Sequence, residues 1–272
     1  MPELPEIETT RLGLLPLMKG KTIERLVLHR NRLRYDIPSE LAQRVAGKKI
    51  IDIKRRAKYL LFEFEQGVML SHFGMSGVWR WIDHLDSPLQ KHDHVELVFA
   101  HSVARYNDPR RFGCLLWIDQ AQLATHPILI NLGVEPLSTD FSAQFLYQYV
   151  QQKNTTIKQL LLSGHCVVGV GNIYACESLF LAGILPTRLA TSLTLAECEA
   201  LVIAIVHVLK KAIAAGGSSI SDFKNVNGQS GYFQNEYHVY QRAGEHCLHC
   251  TQLIFKQKQQ QRSSFFCLNC QV

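Results

Sequence analysis

The chain holds no apolar run approaching the roughly 20 residues that cross a bilayer, which argues against a helical membrane span. It has no internal repeat, which excludes solenoid and propeller arrays. The nearest thing to a low-complexity patch, Gln257-Lys258-Gln259-Gln260-Gln261, is too short to be a domain. Neither half carries a basic block, so any nucleic-acid reading must rest on local placement of charge. The formal net charge of +6 permits nucleic acid as a partner without requiring it. Only 19% of residues are charged and 47% are hydrophobic, which argues against a disordered chain. At 272 residues, two domains are expected rather than one.

The start, Met1-Pro2-Glu3-Leu4-Pro5-Glu6, is acidic and proline-bearing, where a secretory signal opens basic and turns apolar. A cytoplasmic location is therefore expected. A reducing compartment disfavours disulfides for the eight cysteines.

The pattern predicts a first helix over about Pro5–Met18. Pro5 suits its first turn, and Glu3, Glu6 and Glu8 suit its positive end. From Thr22 to Asp119 the signal is mostly strand. Tyr59–Glu65 and Val68–Leu70 flank Gln66-Gly67 and read as a hairpin; Val95–Phe99 and Cys114–Ile118 are further strands. Such strands suggest an antiparallel sandwich or barrel. Beyond Gly133-Val134-Glu135-Pro136 the pattern turns helical, over Phe141–Gln152, Thr155–Leu162, Ile173–Ala182 and Thr194–Ala215. A polar, glycine-bearing loop follows to about Gly231, and the tail from Tyr237 reads as a small β-hairpin module.

Four cysteines sit in that tail. Cys247-x2-Cys250 and Cys267-x2-Cys270, 16 residues apart, have the spacing of a four-cysteine zinc site. Two such pairs complete a tetrahedral shell with no open position, which favours one structural zinc. A module this small needs the metal to fold. Two disulfides are the alternative. Arg262 lies between the pairs, where a cation reaches phosphates or a groove; a solvated surface arginine is the plainer reading.

Pro2 follows the initiator Met1 and is small enough to permit its removal. The mature chain then begins with a secondary amine. An α-amine titrates near roughly 8 and lysine near roughly 10.4, so the terminal amine is the readier nucleophile at neutral pH. Attack on a sugar carbon gives an iminium ion, an electron sink. Glu3 is next door as a general acid or base. The alternative is an ordinary proline-led helix start.

Taken in order, the motifs resemble the formamidopyrimidine-DNA glycosylase family, bacterial enzymes that excise oxidised purines. The likeness runs through Pro2–Glu8, Arg55–Leu60, His72-Phe73-Gly74-Met75-Ser76-Gly77 and Lys91-His92-Asp93-His94-Val95. It continues through Asp108-Pro109-Arg110-Arg111-Phe112-Gly113, Val168–Tyr174, Gly231-Tyr232-Phe233 and the four cysteines. It is closer to the purine branch than to endonuclease VIII, which typically begins Pro-Glu-Gly-Pro and lacks the Asp-Pro-Arg-Arg-Phe-Gly loop.

The resemblance implies an α+β fold in two lobes. These are an N-terminal antiparallel β-sandwich and a helical lobe with a helix–two-turns–helix motif and a zinc β-hairpin. It implies a catalytic domain over 1–133, a DNA-binding domain over 134–236 and a finger over 237–272. The implied activity is a combined N-glycosylase and abasic-site lyase, acting as a monomer on duplex DNA with oxidised purines or abasic sites, and on no membrane.

Carried onto this chain, Pro2 is the nucleophile, Glu3 the proton donor, and Lys58 and Arg262 hold phosphate at the reacting nucleotide. Met75, Arg110 and Phe112 fill the hole left by a flipped base. The methionine and phenylalanine are apolar wedges, and the arginine bonds the orphaned base. Glu6, His72, His92, Lys158, Asn172 and Tyr240 complete the expected DNA-facing set, and residues 217–231 match the family's base-reading loop. Three positions depart from the family pattern: Gln241 replaces a frequent glycine, His246 a frequent proline, and Gln271-Val272 a frequent terminal Gln-Lys.

Overall fold

A computed structural model describes residues 1–218, 226 and 228–272. Part of the expected base-reading loop, 219–225 and 227, lies outside the described residues. The chain forms two compact units. One is Met1–Ile130 with Ala215–Tyr232; the other is Asn131–Ala214 with Phe233–Val272.

The first unit opens with α1 (Leu4–Met18). Eight strands follow: β1 (Arg25–Leu28), β2 (Asp52–Arg56), β3 (Tyr59–Glu63), β4 (Gly67–His72), β5 (Val78–Ile82), β6 (Asp93–Val98), β7 (Val103–Asn107) and β8 (Cys114–Asp119). They form two antiparallel four-stranded sheets, ordered β1-β6-β7-β5 and β2-β3-β4-β8. The sandwich expected from the strand pattern is present. Two short helices were not foreseen, α2 (Leu41–Val45) and α3 (Pro127–Ile130). Five- and four-residue helices carry too little periodicity to read.

Strand alternation explains the layering. Leu60 and Phe62 of β3 point into a core shared with Trp79, Val95, Leu97 and Tyr106 of the other sheet and Ile7, Leu14 and Met18 of α1. Leu61 points the other way, into a second cluster with Val68, Leu70 and Ile118 covered by Ile128 and Leu129 of α3. The sheet is therefore buried on both faces, and β4 is buried from Gly67 through Ser71 for that reason.

The second unit contains α4 (Ala143–Val150), α5 (Ile157–Ser163), α6 (Asn172–Leu181) and α7 (Leu195–Ala214). Gly164 ends α5 in the left-handed region at φ 73°, and Gly171 is the N-cap of α6, so a short connection joins the two helices. β9 (Phe255–Gln259) and β10 (Arg262–Phe266) form the tail hairpin. Cys176 and Phe180 of α6 pack with Val239, Ile254, Phe265 and the buried sulfurs of Cys247 and Cys267.

Candidate active site and nucleic-acid surface

At the amino end of the first unit Met1 is exposed, and the residues directly after it are buried. Pro2 and Glu3 are both sequestered, and Glu3 is the N-cap of α1. The Glu3 backbone N–H donates to Glu6 Oε2 at 2.7 Å. The other Glu6 oxygen accepts the Ser218 N–H at 2.8 Å. A carboxylate only 2% exposed is thus held by backbone donors.

The α-amine at Met1 has a pKa below its ordinary value. Burial is the largest cause; Glu3 and Glu6 oppose it, and Lys58 and Arg110 reinforce it. The same groups thus surround the chain start that the motifs single out. Lys58 lies in the turn between β2 and β3, beside Ala57 at φ 55°.

His72 ends β4. Burial, then Lys58 and Arg34, push its pKa down to about 4. Its Nδ1 accepts from the Gly74 N–H at 3.1 Å, so the neutral ring carries its proton on Nε2. His92 stands in the left-handed region at φ 74°, and its carbonyl accepts the Asp108 N–H at 3.1 Å.

Met75 is 40% exposed, although its neighbours Phe73, Gly74, Ser76 and Gly77 are buried. Phe112 is 44% exposed, and the Arg110 guanidinium lies over its ring at 5.1 Å. Core packing therefore does not explain either apolar side chain. The two loops are locked together. Asp108, fully buried, accepts from Ser76 Oγ at 2.6 Å and from the Gly113 N–H at 2.8 Å. Ser76 Oγ in turn accepts the Arg110 N–H at 3.1 Å. Gly74, at φ 59°, lies so close to Phe112 that a Cβ would sit 2.2 Å from its carbonyl carbon, and only glycine fits.

In the second unit, Asn172 Nδ2 donates to the Ser263 carbonyl at 3.0 Å. Lys158 requires a correction. It was expected to face DNA, but it is 1% exposed, and its ammonium donates to the Ser263 carbonyl at 3.0 Å and Ser264 Oγ at 2.6 Å. A buried ammonium needs fixed acceptors, and the hairpin supplies them. Lys158 therefore braces the strand behind Arg262, which is itself exposed. Tyr240 packs its ring on Phe265, with centroids 5.1 Å apart. Its N–H, with those of His238 and Val239, donates to the buried Glu177 carboxylate.

The four tail sulfurs lie within 4.8 Å of one another. Cys247 Sγ accepts the His249 N–H at 3.4 Å, and the Gln252 N–H is the main cause that draws the Cys250 thiol down to about 7. The set fits a tetrahedral metal site, because four thiolates this close need a cation between them. The other four cysteines differ: burial pushes all of them up, Cys166 to about 12 and Cys176 and Cys198 to about 11, and Cys114 in the same direction, so they remain protonated thiols.

Sequence reasoning passed over Asp108, Ser76, Glu177 and Gln271. Asp108 and Ser76 stood inside quoted motifs without a role. Glu177 was signalled by a lone acid in an otherwise apolar helix. Gln271 stood only as the unchanged half of the terminal pair, yet its amide accepts the Cys267 N–H at 2.9 Å and donates to the Ile184 carbonyl at 2.8 Å.

Residues 1–115 match the formamidopyrimidine-DNA glycosylase N-terminal domain, and residues 132–224 match the H2TH domain of the same enzymes. This chain belongs to the formamidopyrimidine-DNA glycosylase family. It is 48% identical over the full length of both chains to a formamidopyrimidine-DNA glycosylase of Herminiimonas arsenicoxydans. It is 47% identical, again over both full lengths, to that of Escherichia coli strain 55989. Among solved structures, it matches a Lactococcus lactis FPG variant in complex with a Fapy-dG containing DNA at TM-score 0.93 and 35% identity, covering 99% of each chain. It matches MutM in complex with carbocyclic 8-oxo-G containing DNA at TM-score 0.92 and 35% identity, with the same coverage.

Proposed function

We propose that this chain excises oxidised purines, 8-oxoguanine and formamidopyrimidines, from duplex DNA and then cleaves the abasic strand. The observation that carries the reading is the buried Pro2-Glu3 pair at the head of α1, where Glu6 holds the Glu3 N–H, in a chain 48% identical over its full length to a formamidopyrimidine-DNA glycosylase. The relatives' complexes with lesion-bearing DNA support it.

The chemistry follows from the nucleophile. With Met1 removed, the Pro2 nitrogen attacks C1′ of an everted nucleotide. The glycosidic bond breaks, and the base leaves with its electron pair and takes up a proton. Glu3 protonates the ring oxygen as the sugar opens, giving an iminium ion. Loss of a C2′ proton expels the 3′ phosphate, and a second elimination expels the 5′ phosphate. A one-nucleotide gap with phosphate ends remains.

Lys58, His72 and His92 hold phosphates near the reacting sugar, and Glu6 supports Pro2 and Glu3. His72 does so as a neutral Nε2–H donor, in keeping with its lowered pKa. Met75, Arg110 and Phe112 occupy the vacated stack. Asn172, Tyr240 and Arg262 hold backbone in the second unit. The functional division is a catalytic domain over 1–133, a DNA-binding domain over 134–236 and a finger over 237–272. Cys247, Cys250, Cys267 and Cys270 hold one structural zinc, which folds the knuckles that carry the hairpin. The enzyme acts as a cytoplasmic monomer.

The test is cleavage of 8-oxoguanine·C against thymine glycol·A duplexes. Preferential nicking of the first supports the reading. Preference for the second moves the specificity to oxidised pyrimidines, and no nicking of either overturns the activity.

A further inference from the structure

The second unit contains a recess of about 630 Å³ bounded by the start of α6 and the hairpin. Its polar lining includes Asn172, Tyr240, Gln241, Lys256, Arg262 and Ser263. Among the described residues, no carboxylate lines it, while two cations and two carboxamides do. That composition suits an anion whose charge is spread over several oxygens.

Gln241 is the unexpected member. Its backbone stands at φ 61°, in the region where a side chain is strained and glycine is at ease. Glutamine lacks the short side chain that eases asparagine and aspartate there. Among the described residues, no hydrogen bond within the protein engages its side-chain amide. The conformation is imposed from both sides. Glu177 holds the three preceding N–H groups. After it, the Arg242 N–H donates to the Val239 carbonyl at 3.1 Å and the guanidinium to the His238 carbonyl at 2.8 Å. A strained, exposed glutamine lining a cationic recess is a feature that a ligand, rather than the fold, accounts for.

We infer that Gln241 is a further DNA-backbone ligand, its amide donating to a phosphate oxygen in this recess, with Lys256 as an additional cation beside Arg262. The inference rests on the reading of the chain as a DNA glycosylase and adds two residues to it. The left-handed strain at 241 is then a stability cost retained for binding.

Binding of a duplex carrying a tetrahydrofuran abasic analogue, measured across salt concentrations, tests this with four chains: wild type, Gln241→Gly, Gln241→Ala and Lys256→Ala. Both Gln241 variants are expected to bind about tenfold more weakly, as for a lost hydrogen bond to an ionised acceptor. Their slope of log Kd against log salt is expected to stay unchanged, because a neutral side chain releases no counterion. Lys256→Ala is expected to reduce that slope by about 1. Gln241→Gly is expected to melt above wild type and Gln241→Ala not to, which separates the backbone effect from the amide.

Gln241 variants that bind like wild type overturn the role of Gln241, and an unchanged slope in Lys256→Ala overturns that of Lys256. Failure of the underlying reading looks different. In that case the wild type itself shows no preference for the abasic duplex over an intact one.

Discussion

Glu6 and Ser218, 212 residues apart, are joined by a hydrogen bond of 2.8 Å from the Ser218 N–H to Glu6 Oε1. The second oxygen of the same carboxylate accepts the Glu3 N–H. One buried side chain therefore ties the start of α1 to the stem of the polar loop after α7. Gly217 makes the approach possible; at φ 81°, its Cβ position lies 3.0 Å from Glu6 Oε1.

Glu6→Gln keeps the volume but presents an NH₂ group to one of two N–H donors. Two donors then face each other in a buried site. We expect a loss of about 1–3 kcal/mol in unfolding free energy, read by denaturant titration. We also expect slower strand scission of an 8-oxoguanine duplex. Wild-type stability in the variant would remove the tie.

The Asp108–Ser76 pair sets the register of the loops that carry Met75, Arg110 and Phe112. Asp108→Asn replaces an acceptor with a donor facing Ser76 or Gly113. Excision from duplex DNA is expected to fall at least tenfold, since a misplaced wedge forfeits catalysis. Cleavage of a single-stranded abasic oligonucleotide has no vacated stack to fill and is expected to persist. Equal losses on both substrates would reduce Asp108 to a general stability role.

Stability is expected to depend on pH through His72. Its folded-state pKa of about 4 lies below the ordinary 6.5, so the folded chain binds fewer protons than the unfolded chain between those values. Its contribution is complete above about 6.5 and is lost as pH falls toward 4. His72→Asn keeps an acceptor for the Gly74 N–H and does not titrate. The stability gap between wild type and variant should shrink over that window; a constant gap contradicts the assignment.

These expectations also mark what the sequence made legible. The helix start, the hairpin at Gln66-Gly67 and the cysteine knuckles were readable because each is set by local chemistry. Lys158 was expected at DNA from the resemblance, and nothing beside it in sequence signals its burial, because its acceptors lie more than 100 residues away in β10. Asp108 and Glu177 were missed for the same reason. Asp108 depends on the Ser76 hydroxyl 32 residues away, and Glu177 on N–H groups 61 to 63 residues away, partners that only tertiary folding brings near. The strain at Gln241 was visible merely as an odd residue where glycine is frequent.

Metal removal gives a further expectation. Chelation should release the knuckles at Cys247–Cys250 and Cys267–Cys270 and abolish binding of lesion duplex, with one zinc recovered per chain. The first unit has its own core and should retain its β signal in circular dichroism. Duplex binding that survives complete chelation would contradict a structural metal at this site.

The central claim is that the Pro2 nitrogen bonds to C1′ of the damaged nucleotide. Borohydride reduction during turnover of an 8-oxoguanine·C duplex, followed by peptide mapping, tests it directly. The expected result is a stable adduct on Pro2 of a chain lacking Met1, and none on a chain with residues added before Pro2. No adduct, or one mapped to a lysine such as Lys58, would contradict it.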